Sequence, residues 1–540
     1  MNQGLASPYL IQDDARHYLF WMERFRHPAA FPNDLIADYL QSIAPVGYKL
    51  FFGLVSHSGI SIEWFAKVLP MVLGGITAAY YYRLVLAVLP LPLVGVMATV
   101  MLNQTLWCTD DLSTASPRAF IYPLLVPLLF YFVRRLWWQS LGCLGLLALF
   151  YPPVALVAMT LYVLHGVNWR AVAWRLTHLS IPGGVWFRVW HRKRWPLIAI
   201  AITITALSIL PTYLSSQTFG PVATMAQALD IPEYQPQGRH SFFAAGLSRY
   251  TMWLFGGHGS LVKRTIFTPI TLIAALLLPV IVKCKFRSLQ QVSPQTWVFA
   301  KLIGAGLIWF LLAYGLAFRL HMPGRYTSHC ISLVMPLLAA ITWMVLLEWI
   351  WEQIRPQLLC ALITLSVLIP LLFYYPLLLN NFPKPYYISG QAPAVYEYLH
   401  TQPQDTVVAS IDNEANNIPS FAKRSTVIAA EYGTPFHLGY YGQFRQRAQD
   451  LLMAHYTNNH ELLNDVTRRY DIDLWLIHKG AFHANYLIHH SYWSHNYADA
   501  VAKTLAQMQT ESSILQKHVT QCTVLDSDRF WLVDAHCAIK

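Results

Sequence analysis

The stretch CISLVMPLLAAITWMVLL, residues Cys330–Leu347, contains no charged side chain along its whole length. Such a run is typical of a helix that crosses a lipid bilayer, whose hydrocarbon core takes roughly 20 apolar residues. The pattern recurs along the chain up to about residue 380, which predicts a polytopic membrane protein. The other candidate spans are Phe65–Val88, Val94–Trp107, Ala119–Val133, Pro196–Leu214, Ile266–Val282, Trp297–Phe318 and Leu358–Leu379.

A further apolar piece, Leu141–Leu164, is interrupted by Pro152-Pro153. Two successive prolines remove two backbone donors and disfavour helix before them, so we expect a break there. Lys and Arg in short loops mark the cytoplasmic side of a membrane protein. Arg134 and Arg170 can share that side only if the piece enters the membrane and returns. The outer face then carries the segments 1–64, 108–118, 215–265 and 319–329, and the tail from about residue 380.

The composition agrees with this topology. Charged residues make up 12% of the chain, against about 25% in soluble proteins, and the deficit lies before the tail. The net charge of +11 falls mostly in short clusters between apolar runs, including Arg134-Arg135 and Lys283 to Arg287. The tail shows no basic stripe interleaved with aromatic residues, so we do not expect nucleic acid as a partner.

The tail alternates β-rich runs with helical patterns, which favours an α/β domain with a largely parallel sheet. The fold class is therefore a polytopic α-helical membrane protein of about 8–10 transmembrane helices with a C-terminal extracytoplasmic α/β domain. Its expected parts are a first outer loop 1–64, a transmembrane domain 65–380 and a soluble domain 381–540. Strand candidates are Thr406–Ile411, Ser425–Ala430, Leu474–His478 and Phe530–Val533, and helix candidates are Ala392–Leu399, Gln443–Ala454, Glu461–Arg469 and Ala498–Met508.

Two of the seven cysteines, Cys522 and Cys537, lie close together in the tail. They could form a disulfide if the tail is extracytoplasmic, because disulfides persist in oxidising compartments. Two unpaired thiols are the alternative, and the sequence leaves this choice open.

Two pairs of carboxylates stand at the edges of apolar segments: Asp13-Asp14 and Asp110-Asp111. Ionisable residues at the ends of membrane spans are candidates for function. An Asp-Asp pair can equally be a solvated loop or a helix cap. In a cavity of low dielectric constant, such a carboxylate could act as a general base. The two pairs together could alternatively bind a divalent cation through their oxygens. The sequence identifies no other cofactor.

Basic residues accompany the acidic pairs. Arg118 would suit a phosphate, since its planar guanidinium binds oxyanions in bidentate fashion, or it could extend to the membrane interface. The junction Arg319-Leu320-His321-Met322-Pro323-Gly324-Arg325-Tyr326 groups two arginines and a histidine around a Pro-Gly turn. Arginines on the outer side run against the usual charge bias. An anionic ligand or contact with phospholipid head groups would explain them.

Taken together, these motifs resemble the GT-C superfamily of membrane glycosyltransferases, which use polyprenyl-phosphate sugars. Asp13-Asp14 matches the acidic motif of the first outer loop in that superfamily, and the amphipathic stretch Asp34–Leu40 follows it as in relatives. Asp110-Asp111 is similar to the second acidic site, and His321–Tyr326 to the basic-aromatic junction near the donor phosphate. In the superfamily a transmembrane helix precedes the first acidic loop. No apolar run precedes Asp13, so we expect that this helix is missing or that the true start lies upstream.

The first hypothesis is therefore a glycosyltransferase in a bacterial-type plasma membrane. It would move a sugar from a polyprenyl-phosphate-linked donor to a glycan, lipid or protein acceptor on the outer face. Asp13 or Asp14 would be the base, and Asp110 and Asp111 would bind the acceptor or a metal. Residues expected at the donor phosphate are Arg118, Arg319, His321, Arg325 and Tyr326. The second hypothesis is a non-catalytic membrane carrier or assembly subunit for cell-surface polysaccharide or glycolipid.

Overall fold

The computed structural model describes residues 2–167, 194–243, 254, 259–263, 265–284, 286–316, 318–354, 356–378 and 382–540. The expected cytoplasmic segment from Arg170 to residue 193 lies outside the described residues. So do Lys285 and most of the middle of the long outer loop 215–265.

Long apolar helices form the first two thirds of the molecule. Within the described ranges, four helical segments are long and apolar enough to cross a bilayer: Ile62–Val88, Trp195–Phe219, Pro294–Gly315 and Gly324–Gln353. The fold is that of a polytopic helical membrane protein, as predicted. Further helices in this part are Pro92–Trp107, Ile121–Val133, Trp137–Phe150, Pro152–Gly166 and Gln357–Leu378.

The predicted break at Pro152 is confirmed. The helix Trp137–Phe150 ends before Tyr151, whose backbone has φ −146° and ψ 82°, and a new helix begins at Pro152. Proline is favoured in the first helical turn, where no intrahelical partner exists for an N–H group. By contrast, the predicted span Ile266–Val282 is shorter and irregular. It consists of a 3₁₀ helix, Ile270–Leu277, and one short turn, Leu278–Ile281. Pro279 cannot donate the hydrogen bond that would continue a regular helix there.

The tail contains a five-stranded sheet. Its strands are β3 (Val407–Ala409), β4 (Ser425–Thr426), β5 (Leu474–His478), β6 (Thr523–Asp526) and β7 (Phe530–Asp534), in the spatial order β4-β3-β5-β7-β6. The strand β3 runs parallel to β4 and β5, whereas β7 is antiparallel to both β5 and β6. The sheet is therefore mixed and not largely parallel as expected. The short connection between β6 and β7 forces this, because a tight hairpin joins only antiparallel strands.

Helices of the tail flank this sheet. Cys522 and Cys537 form a disulfide, with their Cα atoms 5.6 Å apart, so pairing is the outcome of the choice that the sequence left open. The tail helices of six or more residues are Pro393–Thr401, Leu438–Tyr456, His460–Arg469, Ala484–His489, Ser491–Asn496, Ala498–Met508 and Ile514–Cys522.

The start of the chain is joined to the start of the tail. The strand β1 (Leu10–Gln12) pairs antiparallel with β2 (Tyr387–Ser389), and the amide of Asp13 donates a hydrogen bond of 3.1 Å to the carbonyl of Tyr386. The amphipathic stretch then forms the helix Leu35–Ile43, and a second helix, Val46–His57, follows it. The first loop is thereby held against both the helical bundle and the tail.

Burial of one histidine should make the tail sensitive to acid. Both ring nitrogens of His455 are buried with no hydrogen-bond partner among the described residues, and the ring stacks on Phe482. Burial lowers the pKa of His455 from 6.5 to about 3. In the unfolded chain the ring is protonated below about pH 6.5, whereas in the folded chain it stays neutral, so acid favours unfolding. Above pH 6.5 the buried ring does not lower the free energy of unfolding. As the pH falls from 6.5 towards 3, the free energy of unfolding decreases.

We therefore expect His455→Phe to stabilise the protein more at pH 5 than at pH 7.5, by about 2 kcal/mol. Thermal unfolding at the two pH values measures the difference. The matched control is His483→Phe at an exposed position, which should leave the pH dependence unchanged. An equal effect of His455→Phe at both pH values would show that burial of His455 does not cause the acid sensitivity.

Candidate functional site

Asp13 and Asp14 lie directly after β1, at the start of the short helix Ala15–Leu19. Asp14 occupies the N-cap position of this helix, but its side chain makes no capping hydrogen bond. It instead contacts the guanidinium of Arg118. The pair is thus more than the simple helix cap that its sequence also allowed.

Arg118 lies at the centre of a cluster of carboxylates. It follows Pro117 in a 3₁₀ turn that leads into the helix Ile121–Val133, and only 11% of its side chain is exposed. Its Nη2 donates to Asp14 and, over 2.6 Å, to Oδ2 of Asp110, while Nη1 lies 3.8 Å from Oδ1 of Asp111. Arg118 thus joins the two acidic pairs, which are about a hundred residues apart in the sequence.

Asp111 is the most deeply buried member of this cluster. Its two carboxylate oxygens accept hydrogen bonds of 3.0 and 3.1 Å from the ammonium of Lys263. Burial alone would raise the pKa of Asp111, but the charges of Lys263 and Arg118 outweigh it and hold the pKa below its usual range. Asp111 is therefore ionised at neutral pH, and its charge is already compensated.

Arg325 faces the same cluster from the first turn of the helix Gly324–Gln353. Its side chain is half-buried, and its Nε atom is buried with no hydrogen-bond partner in the part of the chain that the structure describes. Partial burial would raise the pKa of Asp14, but nearby charges, led by Arg118 and including Arg325, lower it below its ordinary value. The charge of Arg325 thus acts on an ionised carboxylate, while its Nε atom is left without a hydrogen bond among the described residues.

His329 was missed by the sequence analysis. It lies one helical turn after Arg325, so the two side chains share a face. Its Nδ1 is 3.2 Å from the hydroxyl of Tyr122, and its Nε2 is buried without a partner among the described residues. The spacing of four residues from Arg325 is the signal that could have identified it.

A second charged group joins the first loop to the tail through Glu431. This buried carboxylate accepts from Arg16 at 3.0 Å and from Nε2 of His17 at 2.8 Å, and it also contacts Arg239 of the long outer loop. Burial and the charge of Arg239 lower the pKa of His17 to about 3, so the ring is neutral at physiological pH. Asp13 completes the group by pairing with Arg16. Glu431 was not predicted, since nothing in its local sequence marks it.

The remaining residues of the predicted basic junction have other surroundings. Arg319 is exposed and lines a separate cavity of about 390 Å³ with Tyr213 and Leu438. The ring of His321 packs on Phe436, with centroids 5.2 Å apart. The hydroxyl of Tyr326 donates to the carbonyl of Leu320. Among the described residues, no group of three or more His, Cys, Asp or Glu side chains is arranged to hold a metal ion.

No protein-family model matches the sequence, and no curated protein is significantly similar to it. Solved structures are similar in fold. The oligosaccharyltransferase of Archaeoglobus fulgidus in complex with zinc and sulfate is 12% identical, with a TM-score of 0.51 over 92% of this chain and 67% of the archaeal chain. Its apo form is 11% identical, with a TM-score of 0.50 over 93% and 68% of the two chains. ArnT from Cupriavidus metallidurans bound to undecaprenyl phosphate is 12% identical, with a TM-score of 0.30 over 96% and 77%.

The likeness to the archaeal enzyme extends over nearly the whole chain. The protein therefore shares the fold of that archaeal chain, and the predicted fold class is confirmed. At identities of 11 and 12%, the likeness establishes the fold alone.

The contacts of Glu431 lead to a stability prediction. Glu431→Gln should destabilise the protein by about 3 kcal/mol, because it removes the buried carboxylate that binds Arg239 and His17 and one of the two carboxylates that bind Arg16. Thermal unfolding of the purified chain in detergent measures the loss. The control is Asp465→Asn in the exposed pair with Arg469, which should change the stability little. Equal effects of the two substitutions would show that the Glu431 group does not hold the tail to the first loop.

Proposed function

We propose that the protein is a membrane glycosyltransferase that moves a sugar from a lipid-phosphate donor to an acceptor on the outer face of the membrane. One observation carries this proposal: Arg325, whose Nε is buried without a hydrogen-bond partner in the part of the chain that the structure describes, acts through its charge on the ionised carboxylate of Asp14. Transfer from a lipid phosphate needs both groups, one to bind the departing anion and one to accept a proton.

In the proposed step, the acceptor oxygen attacks the anomeric carbon while the bond from that carbon to the lipid phosphate breaks. The phosphate leaves with the bonding electrons, and Arg325 stabilises its developing charge. Asp14 takes the proton from the acceptor oxygen, and the anomeric configuration inverts. Its lowered pKa makes Asp14 a weak base, so the proton moves as the new bond forms and not beforehand.

Asp14 fits the role of base better than Asp13. Asp13 pairs with Arg16 on the side of the cluster that contacts the tail, whereas Asp14 contacts Arg118 and feels the charge of Arg325. Asp110 and Asp111 would then position Arg118 and the acceptor, and His329 would line the bottom of the site.

A divalent cation does not fit these carboxylates as they are arranged. The related archaeal structure was solved with zinc, and the sequence alone left a metal open. Here Asp14, Asp110 and Asp111 face the cationic groups of Arg118 and Lys263, and Arg325 is adjacent. Each of these carboxylates already contacts Arg118 or Lys263, so none is free to bind a metal ion. We therefore propose that Arg118 supplies the positive charge that holds the acidic pairs together.

The disulfide in the tail supports placement of the site on the outer face, because such bonds persist in oxidising compartments. The tail carries both Glu431 and the disulfide, so the charged groups and the tail share one side. A non-catalytic carrier would not require the two acidic pairs to meet around one arginine. Their meeting favours the enzyme over that alternative.

Asp14→Asn and Arg325→Gln should each lower transfer about a hundredfold or more, through loss of the base and of the phosphate contact respectively. Arg319→Gln is the matched control, since Arg319 belongs to the same junction but is exposed. The measurement is mass spectrometry of surface glycans and accumulated lipid-linked sugars in gene-deleted cells that carry each variant. Full activity of Asp13→Asn, Asp14→Asn and the double variant would refute the role of these aspartates as the base. It would favour a non-catalytic carrier.

Transfer by the purified protein should also persist in excess EDTA, because Arg118 and Lys263 neutralise the carboxylates. The assay compares initial rates with and without chelator, and again after Mn²⁺ is added back. A rate that collapses in EDTA and recovers with Mn²⁺ would show that a metal displaces Arg118 in the active state.

A further inference from the structure

A groove lies beside the carboxylate cluster, between β1, the first turns of the helix Ile62–Val88 and the start of the tail. It consists of two cavities of about 750 and 410 Å³. Both are lined by Gln12, Lys67 and Tyr387, so they adjoin and Lys67 lies at their junction. We call this feature the Lys67 groove.

One end of the Lys67 groove reaches the surface of the helical bundle. The smaller cavity is lined by Pro70 and Met71 of a helix long and apolar enough to cross a bilayer, and Met71 is 41% exposed. The larger cavity is lined by aromatic side chains, including Tyr9, Trp64 and Phe421. An amphiphilic molecule could therefore enter from the lipid side and place its polar part near the tail.

Lys67 makes no ion pair among the described residues, although the charge of Glu63, which lines the same cavity, acts on it at longer range. Its one hydrogen bond within this part of the chain, of 3.4 Å, goes to the carbonyl of Ser7. The nearest acid on the same helix, Glu63, is one turn away and pairs with Lys423. In the part of the chain that the structure describes, no carboxylate lies within ion-pair distance of Lys67. A half-buried ammonium of this kind suits the phosphate of a ligand.

The groove also adjoins the candidate site. Gln12 immediately precedes Asp13, and Ser113, which lines the smaller cavity, is two residues after Asp111. Ser113 is 1% exposed, and its hydroxyl has no hydrogen-bond partner among the described residues. A buried hydroxyl without a partner is costly, and a polar ligand in the groove would satisfy it.

We propose that the Lys67 groove binds the phosphate-bearing head group of a membrane lipid and that this lipid is the acceptor of the sugar. The second part rests on the proposed function. Lys67 and Arg325 lie on different helices, so the chain offers one cation for the acceptor phosphate and another for the donor phosphate. The acyl chains would leave along Pro70 and Met71, and the head group would extend past Ser113 towards the carboxylate cluster.

The test uses the full chain in detergent micelles that contain phosphatidylglycerol, with phosphatidylcholine as the zwitterionic comparison. Native mass spectrometry counts the lipid molecules that each protein retains. We expect retention of phosphatidylglycerol over phosphatidylcholine, and Lys67→Gln should weaken it about tenfold or more, as loss of a charged hydrogen bond does. Ser113→Ala should weaken it less. The matched control is Lys49→Gln on the helix Val46–His57, whose ammonium bonds to the carbonyl of Gln41.

The proposal would be overturned if Lys67→Gln retained as much phosphatidylglycerol as the unaltered protein. It would also be overturned if Lys49→Gln lost as much of this lipid as Lys67→Gln. Undecaprenyl phosphate is a third probe: if Lys67→Gln loses this carrier and keeps phosphatidylglycerol, the groove binds the donor and the proposal is wrong. Arg325→Gln separates the two proposals. It should abolish transfer while retaining phosphatidylglycerol normally, so failure of the transfer assay leaves the binding result interpretable.

Discussion

The structure depends on one buried arginine. Arg118 binds carboxylates from two loops that are far apart in the sequence, and without it Asp14, Asp110 and Asp111 would repel one another. Removal of a buried ionic partner usually costs several kcal/mol, since the remaining charges stay out of water. Arg118 therefore sets the distance between the first loop and the 108–118 loop, and so the position of Asp14.

The tail is the second constraint on this geometry. Its first strand pairs with β1 immediately before Asp13, and Glu431 holds Arg16 and His17 from the other side. The tail, which follows the last apolar helix, thus holds the short helix after Asp14 through the strand before it and through the side chains of Arg16 and His17. The tail consequently acts as a support for the candidate base and is more than an appended module.

Local patterns predicted the architecture but only part of the site. Apolar runs and the Pro152 break were sufficient to predict a polytopic helical membrane protein, because each depends on residues near in sequence. The acidic and basic motifs at the ends of these runs selected Asp14, Asp110, Asp111, Arg118 and Arg325 as candidates. They could not find Lys263 or Glu431, whose contacts span more than a hundred residues, and His329 was missed although its spacing from Arg325 marks it. The antiparallel β6 was missed because its Thr523–Asp526 run is short and partly exposed.

The pairing of β1 with β2 also orders events during synthesis. The strand β1 is made well before its partner at Tyr387–Ser389, which leaves the ribosome only after the apolar helix Gln357–Leu378. Until then, the segment that carries Asp13 and Asp14 has no strand to hold it. The contacts that join this segment to the tail therefore form only after the last apolar helix has been made.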